Sequence, residues 1–140
     1  MIEDGILAYM EEKAVKAYPA ECCGILYGMD RDGEPVVCGV LALENHEAGE
    51  QIRVSYDTDP LELFEKEKRI AAEGYEILGF YHSHPDKPAV ASDKDDRQML
   101  PGLIYLIMSV SSVRVTDIRI WIKKGPDKEP KELAVKRQKG

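Results

Sequence analysis

The sequence predicts one α/β domain in which a mixed β-sheet is flanked by helices. The chain has 140 residues, of which 44% are hydrophobic and 32% are charged, as is usual for a single globular domain. Its apolar patterns follow the order helix, three strands, helix, strand, helix, two strands. Because helices and strands are interleaved in this order, we expect both to pack around one core.

The first third of the chain predicts a helix and a β-hairpin. Apolar residues recur at helical spacing over residues 3–17, and Pro19 disfavours continuation of the helix. Apolar stretches then cover residues 22–29 and 35–43, and the turn-forming residues 30–33 separate them. We therefore expect the two stretches to pair as a hairpin.

The middle of the chain predicts a strand and a second helix. Polar and apolar residues alternate over residues 51–56, as they do in a half-buried strand. Asp59 can cap a helix, Pro60 suits its first turn and Glu62 completes a capping box, so the helix should run to about Glu73. The apolar face of this helix is expected to consist of Leu61, Phe64 and Ala71, with Leu63 and Ile70 beside it.

The second half of the chain continues the alternation. Strands are predicted over residues 76–82, 103–110 and 116–123, and a short helix is predicted over residues 93–100. The strand at 103–110 is apolar almost throughout, which favours an interior position in the sheet.

The C-terminal end differs in composition from the rest of the chain. After Gly125 and Pro126 the residues are mostly charged. We therefore assign residues 1–125 to the domain and residues 126–140 to a charged C-terminal tail. Its apolar triplet, residues 133–135, could add an edge strand to the sheet.

Charge and composition argue against nucleic-acid and membrane partners. The formal net charge is −7, whereas nucleic-acid binding usually needs a basic face. No apolar run approaches the roughly 18–20 residues that span a bilayer, and no signal peptide is visible. Without an export signal, the cysteines Cys22, Cys23 and Cys38 are expected to be reduced in a cytoplasmic protein. The sequence does not determine the oligomeric state.

Two histidines, His82 and His84, stand at the end of the apolar stretch 77–81. Side chains two residues apart in a strand point to the same face, so the two imidazoles should lie side by side. Pro85 should end the strand pairing, and Asp95 follows a short loop. Two imidazoles and one carboxylate suit a first-row metal ion, with zinc as the first choice. Three protein ligands leave a fourth position open, as in catalytic zinc sites.

Other interpretations of these residues are open at this point. His-X-His pairs also occur as ordinary strand residues, and Ser92 and Asp95 have the spacing of a helix capping box. The cap and the ligand are compatible, because a first-turn carboxylate can face back towards a strand end. A nucleophile at Cys22 or Cys23 paired with a histidine is a further alternative, although small buried thiols are the simpler interpretation.

The histidine segment resembles the signature of a known family. His82-Ser83-His84, followed by seven residues from Pro85 and then Ser92-X-X-Asp95, matches the motif His-X-His-X7-Ser-X-X-Asp of the JAMM (MPN-type) metalloproteases. Asp95 alone satisfies this spacing among the aspartates near the site, the others being Asp86, Asp93 and Asp96.

An upstream segment strengthens the resemblance. The family carries a glutamate in a Pro-X-Glu-X-Cys-Gly segment, which residues 19–24 resemble, with Glu21 in the glutamate position. The resemblance covers roughly residues 3–122 and departs at Ala91, where many members carry proline. This departure removes no ligand.

The resemblance implies a fold, a cofactor and site residues. The fold would be a curved, partly barrel-like mixed sheet with flanking helices, JAMM/MPN-like and cytidine-deaminase-like. His82, His84 and Asp95 would bind one Zn²⁺ per chain. Glu21 would act as the base for the metal-bound water, and Ser92 would donate to the oxyanion of the intermediate.

The resemblance also implies a substrate class. The family hydrolyses peptide or isopeptide bonds that follow the C-terminal Gly-Gly of ubiquitin or ubiquitin-like proteins. This compact chain is similar to prokaryotic members that process sulfur-carrier proteins. The alternatives are a non-catalytic MPN-type scaffold, which needs no metal ligands, and a structural metal module.

Overall fold

The structure is a computed structural model that describes residues 1–43 and 60–139. In these ranges three helices pack against one sheet of eight strands. The helices are α1 (Asp4–Ala17), α2 (Pro60–Ala72) and α3 (Asp93–Gln98). The strands are β1 (Ile2–Glu3), β2 (Cys23–Arg31), β3 (Glu34–Leu43), β4 (Glu76–Pro85), β5 (Ile104–Val110), β6 (Val115–Ile122), β7 (Lys131–Leu133) and β8 (Arg137–Gln138).

The sheet is mixed, as predicted, with the strand order β7-β6-β5-β4-β2-β3-β1-β8. β2 pairs antiparallel with β3 as a hairpin and also with β4, whereas β4 and β5 are parallel neighbours joined through α3. The hairpin and the interior position of β5 are thereby confirmed. The predicted strand at 51–56 and the cap at Asp59 lie outside the described residues.

The C-terminal residues pair with both ends of the sheet. β7 pairs antiparallel with β6, so that Leu133 lies opposite Ile120. β8 pairs parallel with β1, so that Arg137 lies opposite Ile2. Four extended residues span only roughly 14 Å, so the sheet must curl to bring its two ends this close. The expected edge strand is present at slightly earlier positions, while the boundary at residue 125 stays a prediction.

Two clusters of buried side chains lie on the two faces of the curled sheet. The α1 cluster joins helix α1 to the sheet and includes Leu7, Met10, Ala14, Leu26, Tyr81, Leu106 and Met108. The α2 cluster lies against helix α2 and includes Cys23, Ile25, Leu43, Ile70, Phe80, Met99 and Tyr105. Among the described helices, none is long and apolar enough to cross a membrane.

The predicted apolar face of α2 is wrong. Leu61 and Phe64 are 62% and 56% exposed, whereas Ile70 is buried and Leu63 packs beside it in the α2 cluster. Both sets have helical spacing, and periodicity alone does not show which of two adjacent apolar stripes faces the sheet.

Candidate metal centre

Strand β4 presents the two histidines on the face that carries α2. Phe80 belongs to the α2 cluster, and His82 and His84 follow it at even spacing, so their side chains share its face. Pro85 is the last residue of the strand, as predicted, and lies opposite Val110 of β5. The strand end therefore places two imidazoles side by side.

Helix α3 brings a carboxylate to these imidazoles. Ser92 is its N-cap and forms a capping box with Asp95. The Ser92 Oγ accepts a hydrogen bond from the Asp95 amide at 3.1 Å, and the Ser92 amide donates to Asp95 Oδ2 at 2.9 Å. The N-cap amide thus holds one carboxylate oxygen of Asp95 at the start of α3, and the other oxygen faces His82.

The three ligand atoms lie close together in a buried group. His82 Nε2 is 3.0 Å from His84 Nε2 and 3.4 Å from Asp95 Oδ1. His84 Nε2 is 3.1 Å from Asp95 Oδ2. The exposed fractions of His82, His84 and Asp95 are only 5%, 5% and 4%. In the described part of the chain these residues form the one group of three or more that could hold a metal ion.

These donors fit a tetrahedral metal ion. Bonds of about 2.0–2.1 Å to zinc place neighbouring ligand atoms of a tetrahedron roughly 3.3 Å apart, close to the spacing of these three atoms. His84 Nδ1 also lies 2.9 Å from the Pro88 carbonyl oxygen. A proton on Nδ1 donates to that carbonyl and leaves Nε2 with a lone pair for a metal, which is the usual support for a ligating imidazole.

The loop between His84 and Ser92 is held by three adjacent strands. The carbonyl of Lys87 accepts from Ser109 Oγ of β5 at 2.6 Å, and that of Pro88 faces His84 Nδ1 of β4. The carbonyl of Ala89 accepts from Trp121 Nε1 of β6 at 3.0 Å. Three successive carbonyls therefore contact neighbouring strands, and none of these contacts involves Ala91.

The strand register places Glu21 beside His84. Cys23 of β2 lies opposite His82, and the Ser83 amide donates to the Cys22 carbonyl at 3.1 Å, so continuing the ladder brings residue 21 opposite residue 84. The Cys22 amide donates back to Ser83 Oγ at 2.9 Å. Glu21 is 6% exposed, and Ser83 thus holds the backbone that carries its carboxylate.

The acidic and basic groups of the site shift one another's protonation. Burial would raise the pKa of Asp95, but hydrogen bonds with His82 and His84 outweigh burial and hold its pKa far below the usual range. Burial would lower the pKa of His84, but Asp95, the Pro88 carbonyl and the charge of Glu21 raise it overall. The metal-free centre is therefore an ionised carboxylate between two imidazoles, and Glu21 contributes to its field.

The remaining aspartates near the site have other roles or positions. Asp86 accepts a hydrogen bond from the Tyr18 hydroxyl, and Asp96 pairs with Lys123 at 2.6 Å. Asp93 is exposed at the start of α3. These contacts leave Asp95 as the carboxylate that meets both histidines.

The cysteines do not resemble nucleophiles. Cys22, Cys23 and Cys38 are free thiols. Burial raises the pKa of Cys22, and it raises the pKa of Cys23 to about 12. A thiol acts as a nucleophile as its thiolate, so these shifts oppose the cysteine alternative.

Three residues that support the centre were not predicted from the sequence. Ser83, Trp121 and Lys123 hold the glutamate segment, the loop and helix α3 respectively. A polar residue in an apolar strand was a weak signal for Ser83. The other two look like ordinary strand residues.

Comparison with known proteins establishes the family. The family model described as prokaryotic homologs of the JAB domain matches residues 4–123. The chain belongs to this family. The desampylase of Haloferax volcanii is 38% identical over 107 residues, which are 76% of this chain and 74% of that protein. A probable TtuB-protein conjugate cleaving protease of Thermus thermophilus is 37% identical over 60 residues, covering 43% of this chain and 40% of that protein.

Solved structures confirm the predicted JAMM/MPN-like fold for this JAB-family chain. A solution structure of a Desulfitobacterium hafniense protein matches with a TM-score of 0.82 and 28% identity, covering 100% of this chain and 94% of that one. A JAB1/MPN domain protein of Archaeoglobus fulgidus matches with a TM-score of 0.58 and 18% identity, covering 97% of this chain and 96% of that one. The curled mixed sheet is thus common to these proteins.

Proposed function

We propose that this chain is a zinc-dependent hydrolase of bonds that follow the C-terminal Gly-Gly of a ubiquitin-like or sulfur-carrier protein. The observation that carries the proposal is the buried convergence of His82, His84 and Asp95. Glu21 is also buried, and it lies near enough for its charge to raise the pKa of His84. The names of two relatives, a desampylase and a conjugate cleaving protease, support the same substrate class.

His82 Nε2, His84 Nε2 and an Asp95 oxygen would hold one zinc ion. A bound zinc ion supplies a Lewis acid and lowers the pKa of a water from 15.7 to about 7. Glu21 removes the proton of the attacking water and later returns it to the leaving amine. The Ser92 hydroxyl accepts from the Asp95 amide and so keeps its own hydrogen to donate to the carbonyl oxygen as negative charge develops.

We also propose the domain boundaries, the cellular compartment and the partner for this activity. Residues 1–125 form the catalytic domain, and residues 126–140 are a charged tail whose strands β7 and β8 pair with the two ends of its sheet. We place the protein in the cytoplasm, because its three free cysteines suit a reducing compartment. The partner is the carrier protein.

The test compares metal content with hydrolysis. The wild type should bind about one zinc per chain and release a peptide fused behind the Gly-Gly of a ubiquitin-like carrier. His84→Ala should lose both properties. Glu21→Gln should keep zinc and lose at least about 100-fold in kcat, because general base catalysis typically contributes that much. Glu76→Gln, at the exposed start of β4, is the matched control and should behave as wild type.

Each failure has a separate meaning. A wild type without zinc, even after zinc is supplied, would overturn the hydrolase and favour the scaffold alternative. Zinc binding with full activity in Glu21→Gln would remove the glutamate from the mechanism. Zinc binding without hydrolysis in either protein would favour a structural metal module.

A further inference from the structure

Helix α3 is too short for its own hydrogen bonds to fix its direction relative to the sheet. It has six residues, yet it carries Asp95 in its first turn and Ser92 at its N-cap. Helices this short are marginal without tertiary contacts. A metal or catalytic group must be held within roughly 0.5 Å of its productive position. Contacts outside the capping box must therefore set the direction of α3.

One such contact is a buried lysine that binds Asp96, the residue after Asp95 in the first turn of α3. The Lys123 ammonium donates to the Asp96 carbonyl at 2.9 Å and to Asp96 Oδ1 at 2.6 Å. Lys123 is 8% exposed, and lysine is rarely buried unless its charge is paired. Asp96 directly follows Asp95, so the ammonium holds the helix one residue from the candidate ligand.

The lysine is fixed to the sheet that carries the histidines. Lys123 directly follows β6, and its carbonyl accepts from the Gly102 amide at 3.0 Å, in the turn before β5. β6 pairs with β5, and Ser109 of β5 lies opposite His84 of β4. A continuous set of backbone pairings therefore relates the ammonium to the imidazoles.

We propose that Lys123 and Asp96 form a positioning pair that sets where the Asp95 carboxylate stands relative to His82 and His84. Neither residue touches the metal position, and the pair acts through the direction of α3. This inference rests on the zinc site of the proposed function. It assigns to Lys123 control of zinc affinity and coordination geometry, beyond a contribution to folding.

The test uses Lys123→Met, which keeps most of the aliphatic stem and removes the charge and the donors. Lys124→Met is the matched control, because Lys124 is its exposed neighbour. Zinc affinity is measured by chelator competition at a temperature where the metal-free proteins are folded, and Co²⁺ replaces zinc for absorption spectra. We expect Lys123→Met to bind zinc about 10–100-fold more weakly, as is typical when a supporting contact is lost. Its Co²⁺ spectrum should also change, whereas Lys124→Met should match wild type.

Folding effects are separated by a second variant. Asp96→Asn removes the charge from a side chain that is 35% exposed but keeps an amide oxygen that can accept from the buried ammonium, so the two variants have different folding costs and report on the same pair. It should weaken zinc binding in the same direction, and the double variant should lose less than the sum of the single losses. Lower melting temperatures with unchanged zinc affinity and Co²⁺ spectra would overturn the pair's positioning role. A wild type that binds no zinc would overturn the proposed function itself.

Discussion

Replacing Ser92 by alanine should separate two contributions of one side chain. Its Oγ accepts from the Asp95 amide at 3.1 Å as the N-cap of α3. Losing an N-cap typically costs about 1 kcal/mol of folding free energy. Losing a hydrogen-bond donor to an oxyanion typically costs about 10²–10³-fold in kcat. Ser92→Ala should therefore lower kcat by about 10²–10³-fold while lowering the free energy of unfolding by only about 1 kcal/mol.

Zinc binding should change little in this variant. The Asp95 Oδ2 atom accepts from the backbone amide of residue 92 at 2.9 Å, and alanine keeps that amide. The carboxylate should therefore stay oriented towards the histidines. Measured zinc content near one per chain in Ser92→Ala would show that the lost activity does not come from a lost ligand.

Two further substitutions distinguish the cap from the oxyanion donor. Ser92→Gly costs only a few tenths of a kcal/mol as a cap but has no hydroxyl, so it should be stable and as inactive as the alanine variant. Ser92→Thr keeps the hydroxyl and should recover most of kcat. The assays are thermal unfolding and steady-state cleavage of a Gly-Gly-linked carrier conjugate. A kcat for Ser92→Gly within about fivefold of wild type would refute the donor role, since loss of such a donor costs about 100-fold or more.

Three other substitutions test the thiols, the strand packing and the charges of the centre. Cys23→Ala should keep kcat within a few-fold, because burial raises the pKa of this thiol to about 12; a large loss in steady-state rate would revive the cysteine alternative. Gly79→Ala should lower the free energy of unfolding in urea by about 3 kcal/mol or more, because its Cβ would overlap the Ile104 backbone. Gly5→Ala, whose Cβ meets open space, is the control and should not destabilise. The metal-free protein should lose stability as pH falls below about 4, because the folded-state pKa of Asp95 is lowered, so its contribution is present above the unfolded value and lost towards the folded one. Asp95→Asn should flatten that acid dependence in urea titrations, and an unchanged slope would contradict the assignment.

Local patterns predicted most elements of the fold. Helical spacing identified α1, apolar runs around a turn identified the β2–β3 hairpin, and the continuous apolar run identified β5. The strands β1 and β8 were not predicted, because each has two residues and exists only through pairing with distant parts of the chain. Periodicity also could not choose between the two apolar stripes of α2, since that choice depends on the sheet.

The candidate site also contains residues that local patterns predict and residues whose positions depend on distant parts of the chain. The histidine spacing in a strand and the capping spacing of Ser92 and Asp95 are local, so the sequence alone indicated these residues together. The position of Glu21 depends on a strand register between residues about sixty apart, Cys23 and His82, which no local pattern contains. Lys123 was not recognised because a lysine at a strand end usually lies in solvent.

The contacts of the loop after His84 explain why the number of residues between the histidines and Ser92 is constrained. The carbonyls of residues 87, 88 and 89 face donors on β5, β4 and β6 respectively, so the loop is fixed to three neighbouring strands at once. Inserting or deleting one residue would shift all three carbonyls off their donors together, at about 1 kcal/mol for each lost bond, and would rotate the start of α3. A seven-residue spacer is therefore a fixed dimension of the centre, and an engineered version that changes its length would need a different set of donors.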